Sequence, residues 1–182
     1  PDNPEPIKGC ELHLIESAAL VQHQDLAQAS LIDMGTGAGL PGVVLKILEP
    51  TISLTLLDSL QKRLMWLQSL GDTLGLSNVT ILHGRAEELS HHTAHRDRYS
   101  YATARAVAAL PVLCELCLPY VRPGGAFLAM KTGNDPKELT VATALISKLG
   151  GAEPLVTDYA LPLSNTPRSM LSIGKKAATP DG

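Results

Sequence analysis

The tightest constraint on this chain is the stretch Leu31-Ile-Asp33-Met-Gly35-Thr-Gly37-Ala-Gly39-Leu-Pro41-Gly42, in which a short apolar run ends in an acid and four glycines follow within eight residues. The pattern predicts a strand, a tight turn and a helix. Leu31 and Ile32 suit a parallel strand buried on both faces. Pro41 fixes φ near the helix start, where a missing N–H costs little. A turn built from glycines lets the backbone bend sharply and approach a ligand closely. In open α/β sheets, ligands lie beyond the C-terminal strand ends, so this turn is the place for a nucleotide-like cofactor.

Further along the chain, other strand ends deliver polar residues to the same rim. Residues 51–57 read as a second strand that ends in Asp58. A carboxylate there can accept hydrogen bonds from both hydroxyls of a ribose, and it is equally suited to cap the following helix. Residues 79–82 form a third strand leading to Arg85-Ala86-Glu87-Glu88. In an adenosine site Ala86 could offer a backbone N–H to the base and Glu87 an acceptor, while acids are also favoured at a helix start for purely structural reasons. Residues 98–103 form a fourth strand that presents Arg105, whose planar fork suits an ion-pair partner in the core, an RNA phosphate or a cofactor carboxylate. Residues 126–130 form a fifth strand ending at Lys131, entered through the turn Pro123-Gly-Gly125.

Helices alternate with these strands. Leu12, Ile15 and Ala19 recur at helical spacing over residues 10–24, residues 43–49 form a helix closed by Pro50, and residues 110–120 and 136–149 form two more. Over residues 60–74, Leu60, Leu64, Leu67 and Leu70 or Gly71 supply one apolar face, and Lys62-Arg63 reads as a solvated pair. Residues 155–161 and 170–173 follow one another with no helix between them and are therefore antiparallel; Pro162, Pro167 and Arg168 lie in the loop that joins them. Lys175-Lys176 and the tail are expected to fray. The organisation is an N-terminal arm and helix over 1–29, one α/β domain over 30–176 and a flexible tail over 177–182.

The chain has 182 residues, enough for a single domain with a sizeable core. Its net charge of −3 does not suit general nucleic-acid binding, so any RNA contact must come from a local basic patch. No apolar run reaches the roughly 18 residues that span a bilayer, and no signal peptide opens the chain; a cytoplasmic protein with no membrane partner is expected. The three cysteines cannot all pair within one chain, and Cys114-Glu-Leu-Cys117 has no second pair to complete a zinc site, so both read as buried helix residues. His13 and His23 are ordinary helix residues, and His91-His92-Thr-Ala-His95-Arg96 reads as a surface loop. No metal is expected.

Gly37-Ala-Gly39-Leu-Pro41-Gly42 formally satisfies the G-x-G-x-x-G dinucleotide pattern. With Asp33 and Gly35 it becomes Asp-x-Gly-x-Gly-x-Gly, which resembles the loop of S-adenosylmethionine-dependent methyltransferases. That cofactor has no pyrophosphate to cradle; it presents an adenosine, a sulfonium and an amino-acid tail, whose amino group Asp33 can hold directly or through water. The order of elements resembles the class I, Rossmann-like methyltransferase fold, an α/β architecture whose mainly parallel sheet has a reversed C-terminal strand. Asp33-Met-Gly-Thr-Gly-Ala-Gly-Leu-Pro-Gly42, Leu57-Asp58-Ser-Leu-Gln-Lys-Arg63, Arg85-Ala-Glu87, Ala104-Arg105-Ala-Val107 and Met130-Lys131 resemble successive motifs of one bacterial family. It is the 16S ribosomal RNA guanine-N7 methyltransferase family, RsmG or glucose-inhibited division protein B.

The resemblance implies methyl transfer from S-adenosylmethionine to N7 of a guanine in 16S ribosomal RNA, on the naked RNA or the small ribosomal subunit; a monomer is expected. It implies that Gly35 and Leu40 line the cofactor beside Asp33, Gly37, Gly39 and Asp58, that Ala86 and Glu87 flank its adenine, and that Arg105 lies near cofactor and substrate. Lys131 and Arg168 match basic positions on the RNA side. No dedicated catalytic side chain is expected, because guanine N7 has a lone pair and no proton to lose. Family members carry a longer helical N-terminal region than the 29 residues before Ser30, which bears on substrate contact. Two other classes could use the same loop: an NAD-dependent oxidoreductase, for which no Tyr-x-x-x-Lys is present, and a ribosome-assembly protein that kept its RNA contacts without activity.

Overall fold

The computed structural model describes residues 9, 11–105, 108–132 and 136–180. The expected arm over 1–8, Cys10, Ala106-Val107, Gly133 and the last two residues lie outside them.

The glycine-rich stretch folds as its pattern dictates. Strand β1 (Ser30–Met34) runs into the turn, and helix α2 (Gly42–Leu48) leaves it, preceded by helix α1 (Glu16–His23) at the start of the domain. Then follow β2 (Ser53–Asp58), α3 (Gln61–Thr73), β3 (Val79–His83), the short α4 (Ala86–Leu89), β4 (Tyr99–Arg105), α5 (Leu110–Cys117), β5 (Val121–Lys131), α6 (Pro136–Lys148), β6 (Leu155–Ala160) and β7 (Pro167–Gly174). One seven-stranded sheet has the order β3-β2-β1-β4-β5-β7-β6. Its strands are parallel except β7, which runs antiparallel to both β5 and β6.

Alternation along the central strands divides the core between the two faces. Leu31, Leu54 and Leu56 pack with Leu20 of α1, Leu45 of α2, and Leu64 and Leu67 of α3. Ile32, Ala102 and Ala104 pack on the other side with Leu113 and Cys117 of α5 and with Ala142 and Ile146 of α6. Successive side chains of a strand point to opposite faces, and helices on both faces are what a parallel sheet needs to bury them. Cys114 and Cys117 are free and buried, and burial pushes the Cys114 thiol up to about 12. Both are inert packing residues.

Besides Pro167 and Arg168, which open β7 paired with Ala160 and Tyr159 instead of lying in the loop before it, three local expectations change. Leu60 is half exposed because it precedes α3 in extended backbone and so falls off the buried stripe of Leu64, Leu67 and Gly71. The turn expected at Pro123-Gly-Gly125 is a bulge inside β5, where pairing jumps from Tyr99 with Val121 to Tyr101 with Ala126. Glycine at such a site leaves room for the neighbouring backbone, and a Cβ on Gly125 would collide with the Ser100 carbonyl. The third change concerns the C-terminal residues expected to fray. Lys175 is buried, with Nζ donating to the Leu118 carbonyl at 2.6 Å and lying 3.1 Å from Asp97 Oδ1. Arg96 then clamps the tail by donating to the carbonyls of Thr179 and Pro180. A buried ammonium left without these acceptors would be costly, so the segment through Pro180 is held down.

Candidate cofactor site

Five of the residues singled out in the sequence meet at one cavity of about 380 Å³ over the C-terminal ends of β1, β2 and β4: Gly35, Asp58, Ala86, Glu87 and Arg105. Its volume is in the range of small-molecule sites. Met34, Leu57 and Leu116 supply apolar wall, and Arg63 and Arg85 supply positive charge.

The second strand delivers Asp58 to the wall of this cavity, only 4% exposed. Its Oδ2 accepts from the Gly37 N–H at 3.0 Å, and its Oδ1 accepts from the Leu60 N–H at 2.9 Å. Asp58 therefore serves the helix start, one of its two readings. It ties the glycine turn to the start of α3 and still borders the cavity. Ala86 is fixed at the head of α4 by the Tyr120 hydroxyl, which donates to its carbonyl at 2.7 Å, while Glu87 beside it is exposed.

Asp33 does not line the cavity. It is fully buried under the turn, where Oδ2 accepts from Thr36 Oγ1 at 2.7 Å and from the Gly42 N–H at 3.0 Å, and Oδ1 has no hydrogen-bond partner among the described residues. Burial, against the pull of those two bonds, pushes its carboxyl up to about 6. Gly39 also acts behind the site: its φ is +85°, and a Cβ there would lie 2.6 Å from Val43 and 2.8 Å from Leu67. The turn thus packs directly on α2 and α3. Leu40 is not among the cavity walls, and Gly37 opens onto a neighbouring groove instead.

The three cations placed by sequence on the substrate side all have acidic partners. Arg168 is 8% exposed and donates from Nε to Glu16 Oε1 at 2.6 Å. Arg105 Nη1 lies 3.6 Å from Glu16 Oε2, and the same group donates to the His13 carbonyl at 3.4 Å. Lys131 donates to both oxygens of Glu138 at 2.6 and 2.5 Å. Neither Lys131 nor Arg168 borders the cavity. Sequence reasoning missed Glu16 and Glu138; no local signal marks Glu16, which lies 152 residues from Arg168. Arg63, in contrast, sits in the same motif as Asp58 and lies 3.6 Å from it. Among the described residues no cluster of His, Cys, Asp or Glu could hold a metal, and no helix is long and apolar enough to cross a membrane.

The parallel sheet with one reversed strand, the glycine turn and the acid at the end of β2 define an S-adenosylmethionine-dependent methyltransferase of the Rossmann-like class. A predicted O-methyltransferase from Agrobacterium tumefaciens, known from its crystal structure, has this fold, with a TM-score of 0.71 over 91% of this chain and 81% of that one at 13% identity. The chain belongs to the GidB family, rRNA small subunit methyltransferase G, whose profile matches residues 4–161. The ribosomal RNA small subunit methyltransferase G of Alkaliphilus metalliredigens is 43% identical over 169 residues, which cover 92% of this chain and 71% of that protein. Its counterpart in Symbiobacterium thermophilum is 47% identical over 155 residues, 82% of this chain and 63% of the other. Membership of this family removes the NAD-dependent reading of the glycine turn.

The cavity fits the family's cofactor. A buried carboxylate at the rim, apolar walls and three arginines, Arg63, Arg85 and Arg105, match an adenosine with a charged amino-acid tail. Bound there, S-adenosylmethionine supplies a methyl carbon made electrophilic by the adjoining sulfonium.

Proposed function

We propose that this chain methylates N7 of a guanine in 16S ribosomal RNA, in the cytoplasm and as a monomer. The observation that carries the reading is the convergence of Gly35, Asp58, Ala86, Glu87 and Arg105 on one cavity in a chain of this family. Asp58 accepts from the ribose hydroxyls, Ala86 and Glu87 border the adenine, and Gly35 lets the backbone come close. Arg105 stands at the rim between cofactor and substrate. Asp33 supports the turn from beneath, with its unpartnered oxygen available to a water-mediated contact. Lys131 and Arg168 reach RNA only where a phosphate competes with Glu138 or Glu16.

Guanine N7 presents a lone pair and loses no proton, so the chain need supply no general base. Its contribution is orientation and the exclusion of water, and orientation alone can supply roughly 7–11 kcal/mol. This agrees with a rim made of binding groups.

The test is transfer of labelled methyl from S-adenosylmethionine to unmethylated small ribosomal subunits and to naked 16S RNA, followed by mapping of N7-methylguanine. Label on one guanine is the expected result. Absence of label on both substrates, from protein that binds the cofactor, would overturn the proposed acceptor.

A further inference from the structure

Beside the cofactor cavity lies a second groove of about 840 Å³, walled by Gly37 and Ala38 of the glycine turn and by Leu60, Lys62, Arg63 and Trp66 of α3 and its entry. Its lining is mostly apolar and open to solvent. Trp66, the chain's single tryptophan, is 54% exposed, and Leu60 is 50% exposed. Large apolar side chains left together on a surface mark an interaction site. Lys62 and Arg63 precede Trp66 by four and three residues, so they flank it one helical turn nearer the cofactor cavity. Arg63 borders both cavities, which makes the groove a continuation of the site.

Charge indicates the occupant. In a chain of net charge −3, Arg105, Lys131 and Arg168 are each engaged by a carboxylate. Lys62 is exposed and has no carboxylate within ion-pair distance among the described residues, and the Arg63 guanidinium is half exposed, 3.6 Å from Asp58. An aromatic face with two cations beside it matches one nucleotide and its phosphates, since every base offers a π-face and every phosphate a negative charge. A protein interface needs a footprint of about 20–30 residues a side, far wider than this groove.

We propose that the groove holds a single-stranded stretch of the RNA substrate, with one base stacked on Trp66 and the adjoining phosphates on Lys62 and Arg63. The inference rests on the ribosomal RNA reading above, and it adds a contact outside the cofactor cavity.

Because Trp66 is the single tryptophan, its fluorescence reports the contact directly. Titrating the wild-type protein with a short single-stranded oligoribonucleotide should quench it. Trp66→Ala should weaken binding of naked 16S RNA about 5- to 150-fold, the range for loss of one base–aromatic stack, and Trp66→Phe should recover most of that. Lys62→Ala should lower the slope of log K against log salt by about 0.7. Affinity for S-adenosylmethionine should stay within twofold in all three variants. The proposal is overturned by unquenched fluorescence together with unchanged RNA affinity in Trp66→Ala. It is also overturned if that variant loses affinity for assembled subunits and not for naked RNA, which would identify a ribosomal protein as the partner. If wild-type protein methylates ribosomal RNA and Trp66→Ala does so with the same KM, the groove assignment fails while the activity stands. Should Trp66→Ala not fold, wild-type quenching and the Lys62→Ala salt slope decide the matter.

Discussion

Replacing Glu16 by alanine should destabilise the protein far more than an ordinary surface change on the first helix. Glu16 is 6% exposed and lies between two guanidinium groups: Arg168 Nε at 2.6 Å and Arg105 Nη1 at 3.6 Å. Removing one partner of a buried ion pair leaves an uncompensated charge and costs about 3–5 kcal/mol. Most of that comes from Arg168, itself 8% exposed, because the Arg105 side chain is 15% exposed and its contact is longer. At about 2–4 °C per kcal/mol for a chain of this size, Glu16→Ala should melt about 6–20 °C below wild type. Thermal unfolding followed by circular dichroism measures the difference. A second variant, Glu16→Ala with Arg168→Met, removes both charges and should regain most of the loss, since an apolar replacement of a buried pair is neutral or stabilising. The reasoning fails if Glu16→Ala loses less than about 1 kcal/mol, the behaviour of an exposed pair. It also fails if the double variant is no more stable than the single one.

Three other outcomes follow from the site. Asp58→Ala removes the acceptor of the Gly37 and Leu60 N–H groups and the proposed ribose contact; affinity for S-adenosylmethionine by calorimetry should fall about 10-fold or more, from the 1.5–3 kcal/mol of a hydrogen bond to a charged group, and an unchanged Kd would remove Asp58 from the site. Burial raises the Asp33 carboxyl from 3.8 to about 6, so the native state keeps a proton that the unfolded chain has already released. The Asp33 contribution to stability should therefore be greatest below pH about 4 and decline as pH rises to about 6, by roughly 3 kcal/mol. The difference between wild type and Asp33→Asn in urea midpoints across this window isolates the effect, and parallel curves would refute it. Gly42→Ala places a methyl 2.8 Å from Asp33 Oδ2 and 2.9 Å from Leu56 Cδ2; overpacking of this kind costs about 1–3 kcal/mol, and a variant as stable as wild type in urea would show that the turn can give way.

Much of the fold is legible in the sequence because its signals are local. The spacing of Leu64, Leu67 and Gly71 marks the buried stripe of α3, and the crowded glycines of 35–42 can be satisfied only by a tight turn. Asp58 is legible as well, since an acid at the end of the second strand has one rim to occupy whatever the neighbouring strands are. The outward positions of Leu60 and Trp66 were less so, because apolar identity alone does not tell which side of a helix entry faces the core.

By itself the sequence determined the alternation of strands and helices, the glycine turn and the set of residues at the strand ends, all properties of short stretches with a fixed period. Tertiary structure alone decided which charges meet. The order β5-β7-β6 sets the reversed strand beside β5; Arg168 at its start meets Glu16 from the far end of the chain. Lys131 is paired with Glu138 of α6, and Lys175 is drawn into a clasp with Asp97 and Leu118. Asp33 faces inward because the turn closes over it and needs an acceptor at Gly42. A charge's partner depends on which elements lie next to each other in space, and that is set by burial of the whole sheet between its helices, which no local pattern encodes.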